Sequence, residues 1–130
     1  MKVYHIDGSS LGLYGFCEVK NKKIVDTHIE VDQPLTNNQA EWLALFTCLL
    51  HAPVNSRIQI FSDSQLVVNQ FNGRYKVKDE DLKRIASWCR IVMKTRNLEV
   101  ELKWIPRKEN LFGKILEREV HRRRAERWKK

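Results

Sequence analysis

Three carboxylates stand where apolar elements end or are interrupted, and acids so placed serve chemistry more readily than acids on a solvated face. Asp7 ends the run Val3-Tyr4-His5-Ile6, Glu41 falls in the first turn of an almost wholly apolar helical segment, and Asp63 follows Ile58-Gln59-Ile60-Phe61. Each has a local reading: Asp7 as a turn acceptor beside Gly8, Glu41 as a first-turn acid favoured by the helix dipole, Asp63 as a helix cap. Together they point elsewhere. If the first and fourth strands are neighbours, Asp7 and Asp63 leave adjacent strands at similar levels, and a helix packed nearby brings Glu41 to them. Such a cluster repels itself unless cations neutralise it, and oxygen ligands without His or Cys favour Mg²⁺ or Mn²⁺ over zinc. Two such ions about 3.5–4 Å apart can activate a water and stabilise the leaving oxygen in phosphodiester cleavage.

The elements that must position these acids are legible in the polarity pattern. Val3–Ile6 forms a short strand closed by the turn signal Asp7-Gly8-Ser9-Ser10, and Leu13–Lys20 and Ile24–Val31 alternate across Asn21-Lys22-Lys23 as a hairpin. From Asn37 to His51 the apolar residues recur at helical spacing, with Thr36, Asn37 or Asn38 able to cap the start and Pro53 closing the segment. Arg57–Phe61 is a strand, and Ser62-Asp63-Ser64 opens a short helix ending near Asn72-Gly73. Leu82, Ile85, Cys89 and Val92 mark a further helix, Leu98–Ile105 a last strand, and Pro106-Arg107 leads into a long terminal helix. The order is βββαβααβα, an α/β domain with helices available to cover a five-stranded mixed sheet that begins with three antiparallel strands.

The 130 residues are 42% hydrophobic and carry 24 Lys and Arg against 16 Asp and Glu, a net charge of +8. A pI near 9.6 favours a polyanionic partner such as nucleic acid. One domain over 1–130 is expected, and a monomer. No apolar run approaches about 18 residues, so no membrane partner is expected, and the absence of a leader pattern after Met1 suggests a cytoplasmic protein. Cys17, Cys48 and Cys89 are odd in number and lie in apolar stretches, as structural reduced thiols do. The four histidines lack ligand spacing, and Trp42, Trp88 and Trp104 read as packing residues. Residues 114–130 hold eight basic and three acidic side chains, so over half the excess charge sits in a basic C-terminal helix or tail. A solvated helix end is the plain reading of that run.

The stretches Tyr4-His5-Ile6-Asp7-Gly8-Ser9, Thr36-Asn37-Asn38-Gln39-Ala40-Glu41, Phe61-Ser62-Asp63-Ser64-Gln65-Leu66-Val67-Val68-Asn69-Gln70, Gly73-Arg74-Tyr75-Lys76-Val77-Lys78 and Trp104-Ile105-Pro106-Arg107-Lys108-Glu109-Asn110 resemble the type 1 ribonuclease H family in order and spacing. The resemblance covers residues 3 to about 116. It implies a ribonuclease H-like fold and an endonuclease that hydrolyses the RNA strand of an RNA–DNA hybrid with two Mg²⁺ or Mn²⁺ ions, leaving 3′-hydroxyl and 5′-phosphate ends. Carried over by position, Asp7 would bridge both ions, with Glu41 and Asp63 on the leaving-group side. Asn37, Asn38 and Gln65 would test the minor groove for 2′-hydroxyls. Arg74, Lys76 and Lys78, with Tyr75, would lie against the DNA strand's phosphates. Gly8, Ser9, Gln39, Ser64, Arg107 and Asn110 complete the implied substrate-binding set.

One position departs from the family. Its fourth carboxylate, four residues after the equivalent of Asn110, is here Lys114, and the family's mobile His is not evident in the short loop, where Arg107 occupies that region. Three readings follow. Glu109 or Glu117 supplies the missing ligand; Lys114 pairs with Asp7 or Asp63 and weakens metal binding; or its stem carries the charge out to solvent or phosphate and leaves a working three-carboxylate site. The alternative to an enzyme is a hybrid- or duplex-binding module of the same fold that has lost hydrolysis.

Overall fold

A computed structural model describes residues 1–128; Lys129 and Lys130 of the expected basic tail, with the side chain of Arg127, lie outside the described residues. Strand β1 (Lys2–Ser9) pairs antiparallel with β2 (Leu13–Lys20), which pairs antiparallel with β3 (Lys23–Val31). Asn21 and Lys22 both take positive φ, the backbone of a tight hairpin turn whose twist matches its strands. β4 (Ser56–Ser62) lies parallel to β1 on its other side, and β5 (Leu98–Trp104) parallel to β4, giving the order β3-β2-β1-β4-β5. The expected five-stranded mixed sheet is present, with Asp7 on β1 and Asp63 directly after the end of the neighbouring β4.

The turn expected at Asp7 begins later, because residues 7–9 continue the ladder with Gly15, Tyr14 and Leu13 of β2. Gly and Ser therefore mark a place where β1 must be approached closely, not its end. The parallel ladder to β4 does stop just before the acids, at Ile6 opposite Ser62. Beyond that pair the two strands part, and Asp7 and Asp63 face a space no ladder fills.

Helix α1 (Asn37–His51) starts in a capping box: the Thr36 hydroxyl accepts from the Gln39 N–H while the Gln39 side chain accepts from the Thr36 N–H. Ser64 caps α2 (Gln65–Phe71) and Asp79 caps α3 (Glu80–Thr95). A single 3₁₀ turn, Arg107–Glu109, leads into α4 (Leu111–Trp128). Helices α1 and α3 cover one face of the sheet, where Tyr4 and Ile6 pack with Trp42, Leu45, Ile58 and Ile60. On the other face α4 lays Phe112 and Leu116 over Leu13 and Cys17. Strand alternation thus sends Ile6 and Gly8 toward α1, and His5 and Asp7 toward α4.

All three cysteines are buried and free. Of the three tryptophans expected to pack, Trp42 is a core residue, whereas Trp88 and Trp104 remain 41% and 44% exposed, contrary to that expectation. Among the described residues no helix is long and apolar enough to cross a membrane.

Candidate active site

The site is built at the point where β1 and β4 part. Gly8 lets α1 approach: a Cβ there would stand 2.4 Å from the carbonyl carbon of Ala40. That closeness allows the Gly8 N–H to donate to Glu41 Oε1 at 3.1 Å. Glu41 is not a first-turn acid, since the helix begins four residues earlier and its first turn holds no acid. The dipole reading therefore gives way to a contact with β1. Glu41 is only 8% exposed, and its second oxygen, Oε2, has no hydrogen-bond partner.

Asp63 is likewise not a cap, because Ser64 holds that role for α2. Its backbone carbonyl accepts from Trp104 Nε1 at 3.1 Å, and its Oδ2 accepts from Asn110 Nδ2 at 3.1 Å. Asn110 is fully buried. The same Nδ2 donates to Ile6 O at 2.8 Å, while Oδ1 accepts from the Gly113 N–H at 3.0 Å and so caps α4. The first N–H of that helix, on Leu111, donates to His5 Nδ1 at 3.0 Å. Burial holds the His5 imidazole below its ordinary pKa, in the neutral form that can accept. Asn110 and His5 thereby fix the start of α4 against β1 and orient one carboxylate.

Asp7, Glu41 and Asp63 offer oxygens that all lie within 4.8 Å of one another. Burial, reinforced by the neighbouring carboxylates, pushes Glu41 well above the usual carboxylate range. Asp7 is also raised, by burial first and then by the charge of Asp63, with its hydrogen bond to Glu41 and the Arg107 guanidinium offsetting part of this. Three acids this close cannot all ionise without a counter-charge. The donor set is all carboxylate oxygen, and the orphaned Glu41 Oε2 points to a missing partner. Both features suit a hard divalent cation.

Asp7 and Glu41 of the trio line a cleft of about 510 Å³, together with Gly8, Ser9, Asn37, Asn38, Ser64 and Arg107. Its far wall is one face of α4, with Gly113, Glu117, His121 and Arg124 following at helical spacing. His121 and Arg124 were hidden in the charge run; the signal was their spacing from Asn110. Lys114 is exposed and does not line the cleft, so it forms no pair with Asp7 or Asp63. Glu109, in the 3₁₀ turn, is exposed and also outside the cleft.

Other expected substrate contacts are placed differently. Gln39 spends its side-chain amide on the capping box and on Asp81 Oδ2, 3.3 Å away, instead of facing the cleft. Asn110 is buried with its amide fully engaged, so it positions other groups and meets no substrate. Gln65 and Arg74 line a neighbouring groove with Trp104 and Lys103. Lys76 lies on a further surface with Tyr75 and Arg90, and Lys78 is exposed close by in the chain.

Comparison with known proteins agrees with this architecture. The reverse transcriptase-like family model matches residues 18–118. RNase H1 from the halophilic archaeon Halobacterium salinarum NRC-1 is 29% identical, with a TM-score of 0.74 over 84% of this chain and 88% of that one. The N-terminal RNase H domain of a Mycobacterium tuberculosis protein, solved as a fusion with maltose-binding protein, is 27% identical, with a TM-score of 0.72 over 85% and 86%. LC11-RNase H1, isolated from compost by a metagenomic approach, shares the fold at 24% identity, with a TM-score of 0.76 over 85% and 89%, in a complex with an RNA/DNA hybrid.

Proposed function

The chain belongs to the reverse transcriptase-like family, with a ribonuclease H fold, and from that premise we propose that it is a metal-dependent endonuclease acting on the RNA strand of RNA–DNA hybrids. The observation that carries this reading is the carboxylate trio with its orphaned Glu41 oxygen, two members of which, Asp7 and Glu41, line a cleft edged by Arg107, Asn37 and Asn38. Mg²⁺ or Mn²⁺ held there, as two ions, would supply an activated water and stabilise the leaving oxygen.

The residues divide the work. Asp7 sits between Glu41 and Asp63 and is the natural shared ligand. The Gly8 N–H fixes Glu41, and Asn110 fixes Asp63, so two of the three acids are held before anything binds. Pre-set ligands cost no reorganisation when charge arrives. Arg107 offers its guanidinium fork to a phosphate next to the scissile one, and Ser9 and Ser64 offer hydroxyls on the same rim. Asn37 and Asn38, in the first turn of α1, present side chains able to pair with 2′-hydroxyls and base edges. Arg74, Lys76 and Lys78 continue a basic surface away from the cleft, suited to the phosphates of the second strand, with Gln65 between the two regions. Attack of water on phosphorus with loss of the 3′ oxygen leaves 3′-hydroxyl and 5′-phosphate ends. A structure of the same fold solved with an RNA/DNA hybrid supports the choice of duplex.

A second reading rests on Lys114: without a carboxylate at the family's fourth position, the chain would bind hybrid and not cut it. Labelled hybrid incubated with Mg²⁺ and separately with Mn²⁺, using wild type and Asp7→Asn, decides between them. Cleavage by wild type and none by the variant is the expected result. Tight hybrid binding with no cleavage above the variant under either metal would leave only the binding module.

A further inference from the structure

We infer that Glu117, one turn beyond Lys114, supplies the fourth carboxylate of the site, completing the place for a second cation beside Asp7. The inference rests on the metal-dependent reading above and deepens it. Four observations converge.

The first is helix register. Counting from Asn110 puts the family's acid at position 114, but here residue 113 is the one against the trio: a Cβ on Gly113 would stand 3.3 Å from Asp7 Oδ2. Residue 114 is turned about 100° away from it and is exposed, whereas residue 117 returns to within about 40° of residue 113. Glu117 accordingly lines the cleft and Lys114 does not.

The second is direction. Side chains of an α-helix lean toward its N-terminus, so the Glu117 carboxylate extends back along α4 toward Gly113 and Asp7. Gly113 has no side chain to block that path. The four residues from Gly113 to Glu117 rise about 6 Å, a gap that a Glu stem and a cation together span.

The third is availability. Among the described residues the ion pairs of α4 engage Glu119 and Glu126 with Arg122 and Arg123, and leave Glu117 out. Glu109, the other candidate, is outside the cleft.

The fourth is the demand for a cation. Glu41 is over nine-tenths buried and its Oε2 is unpartnered within the trio. Glu117 stands outside the 4.8 Å group, so it cannot serve the ion that this oxygen awaits. It serves a second ion on the α4 side of Asp7, at the spacing of about 3.5–4 Å common to paired sites. Being exposed to solvent, it makes the second ion the weaker of the two.

Mn²⁺ titration of the full chain, followed by the electron paramagnetic resonance signal of free Mn²⁺, tests this without any turnover. Wild type is expected to bind two ions of unequal affinity. Glu117→Gln should keep the tighter and weaken the other at least about tenfold, while Lys114→Ala should leave both unchanged. Far-UV circular dichroism confirms that each variant is folded. Two ions held equally well by wild type and Glu117→Gln, or one ion held by both, would overturn the inference and leave the nuclease reading standing. No Mn²⁺ bound by folded wild type would overturn both.

Discussion

Asn110→Asp changes little volume, yet it exchanges a donor for an acceptor at the point where β1, Asp63 and α4 meet. In the wild type, Nδ2 reaches Ile6 O at 2.8 Å and Asp63 Oδ2 at 3.1 Å. After substitution an oxygen faces a carbonyl and a carboxylate at those distances. The bond to the neutral carbonyl is worth about 0.5–1.5 kcal/mol and the bond to the carboxylate about 1.5–3 kcal/mol, so their loss alone comes to about 2–4.5 kcal/mol. Repulsion adds to this, because the site is buried and three carboxylates are already close. Set against a typical total of about 5–15 kcal/mol, that is a large fraction. With an m-value of about 2 kcal/mol/M, the urea midpoint at pH 7 should fall by at least about 1–2 M. Asn110→Ala is the companion: it loses the α4 cap as well, worth about 0.5–2 kcal/mol, but adds no charge. The two therefore part with pH. Acidification protonates the introduced carboxyl, restores one donor and narrows the gap to wild type for Asn110→Asp only. An unfolding free energy for Asn110→Asp within about 0.5 kcal/mol of wild type at pH 7, or a penalty independent of pH, would refute this account of the frame.

Gly8→Ala should cost about 1–3 kcal/mol, because the new methyl meets backbone at 2.4 Å and α1 must withdraw; the thermal shift on adding Mn²⁺ should shrink with it, as Glu41 moves off. Glu41 is held above its ordinary pKa by burial and by Asp7, so in chelator it favours the folded state at low pH and that contribution is lost as pH rises from its ordinary value of 4.5 through its raised one. Glu41→Gln should match wild type near pH 4, exceed it in melting temperature by pH 8 without metal, and gain less from Mn²⁺ than wild type does; an advantage largest at low pH would contradict the sign. Cys17 and Cys89 have thiols pushed up to about 12 by burial, and burial likewise raises Cys48 well above its ordinary value, so thiol labelling of the folded chain should be slow and should track unfolding. Rapid modification of all three under native conditions would show that they are not buried.

Much of the fold is written in local pattern. The alternation of Leu13–Lys20, the helical spacing of Asn37–His51 and the apolar face of residues 82–92 each depend on near neighbours, and each element formed where its period placed it. The acids at 7, 41 and 63 were legible because an acid in an apolar element is anomalous. What stayed hidden depends on contacts across the sequence. Nothing near Gly8 announces that Ala40 lies against it, so its turn-forming character was read instead of its thinness. The resemblance placed Asn110 among the substrate contacts, but Ile6 and Asp63 use up its amide. Gln39 matched a recognition motif, but its own helix start had first claim on the amide. At Lys114 a linear count gave the residue and could not give the face. A small rotation of α4 decides which side chain looks into the cleft.

The bonds from Asn110 to Ile6 and from Leu111 to His5 join residues 104 and 106 positions apart. During synthesis, the first strands and α1 can assemble well before residue 110 exists. The carboxylates of that partial structure would lie near one another, with Asp63 unheld and one wall of the cleft absent. Closure of the site is therefore a late event, tied to the docking of α4. The same bonds that set the geometry of the acids make the order of folding a safeguard, because a chain stopped short of Asn110 carries the acids without the frame that aligns them.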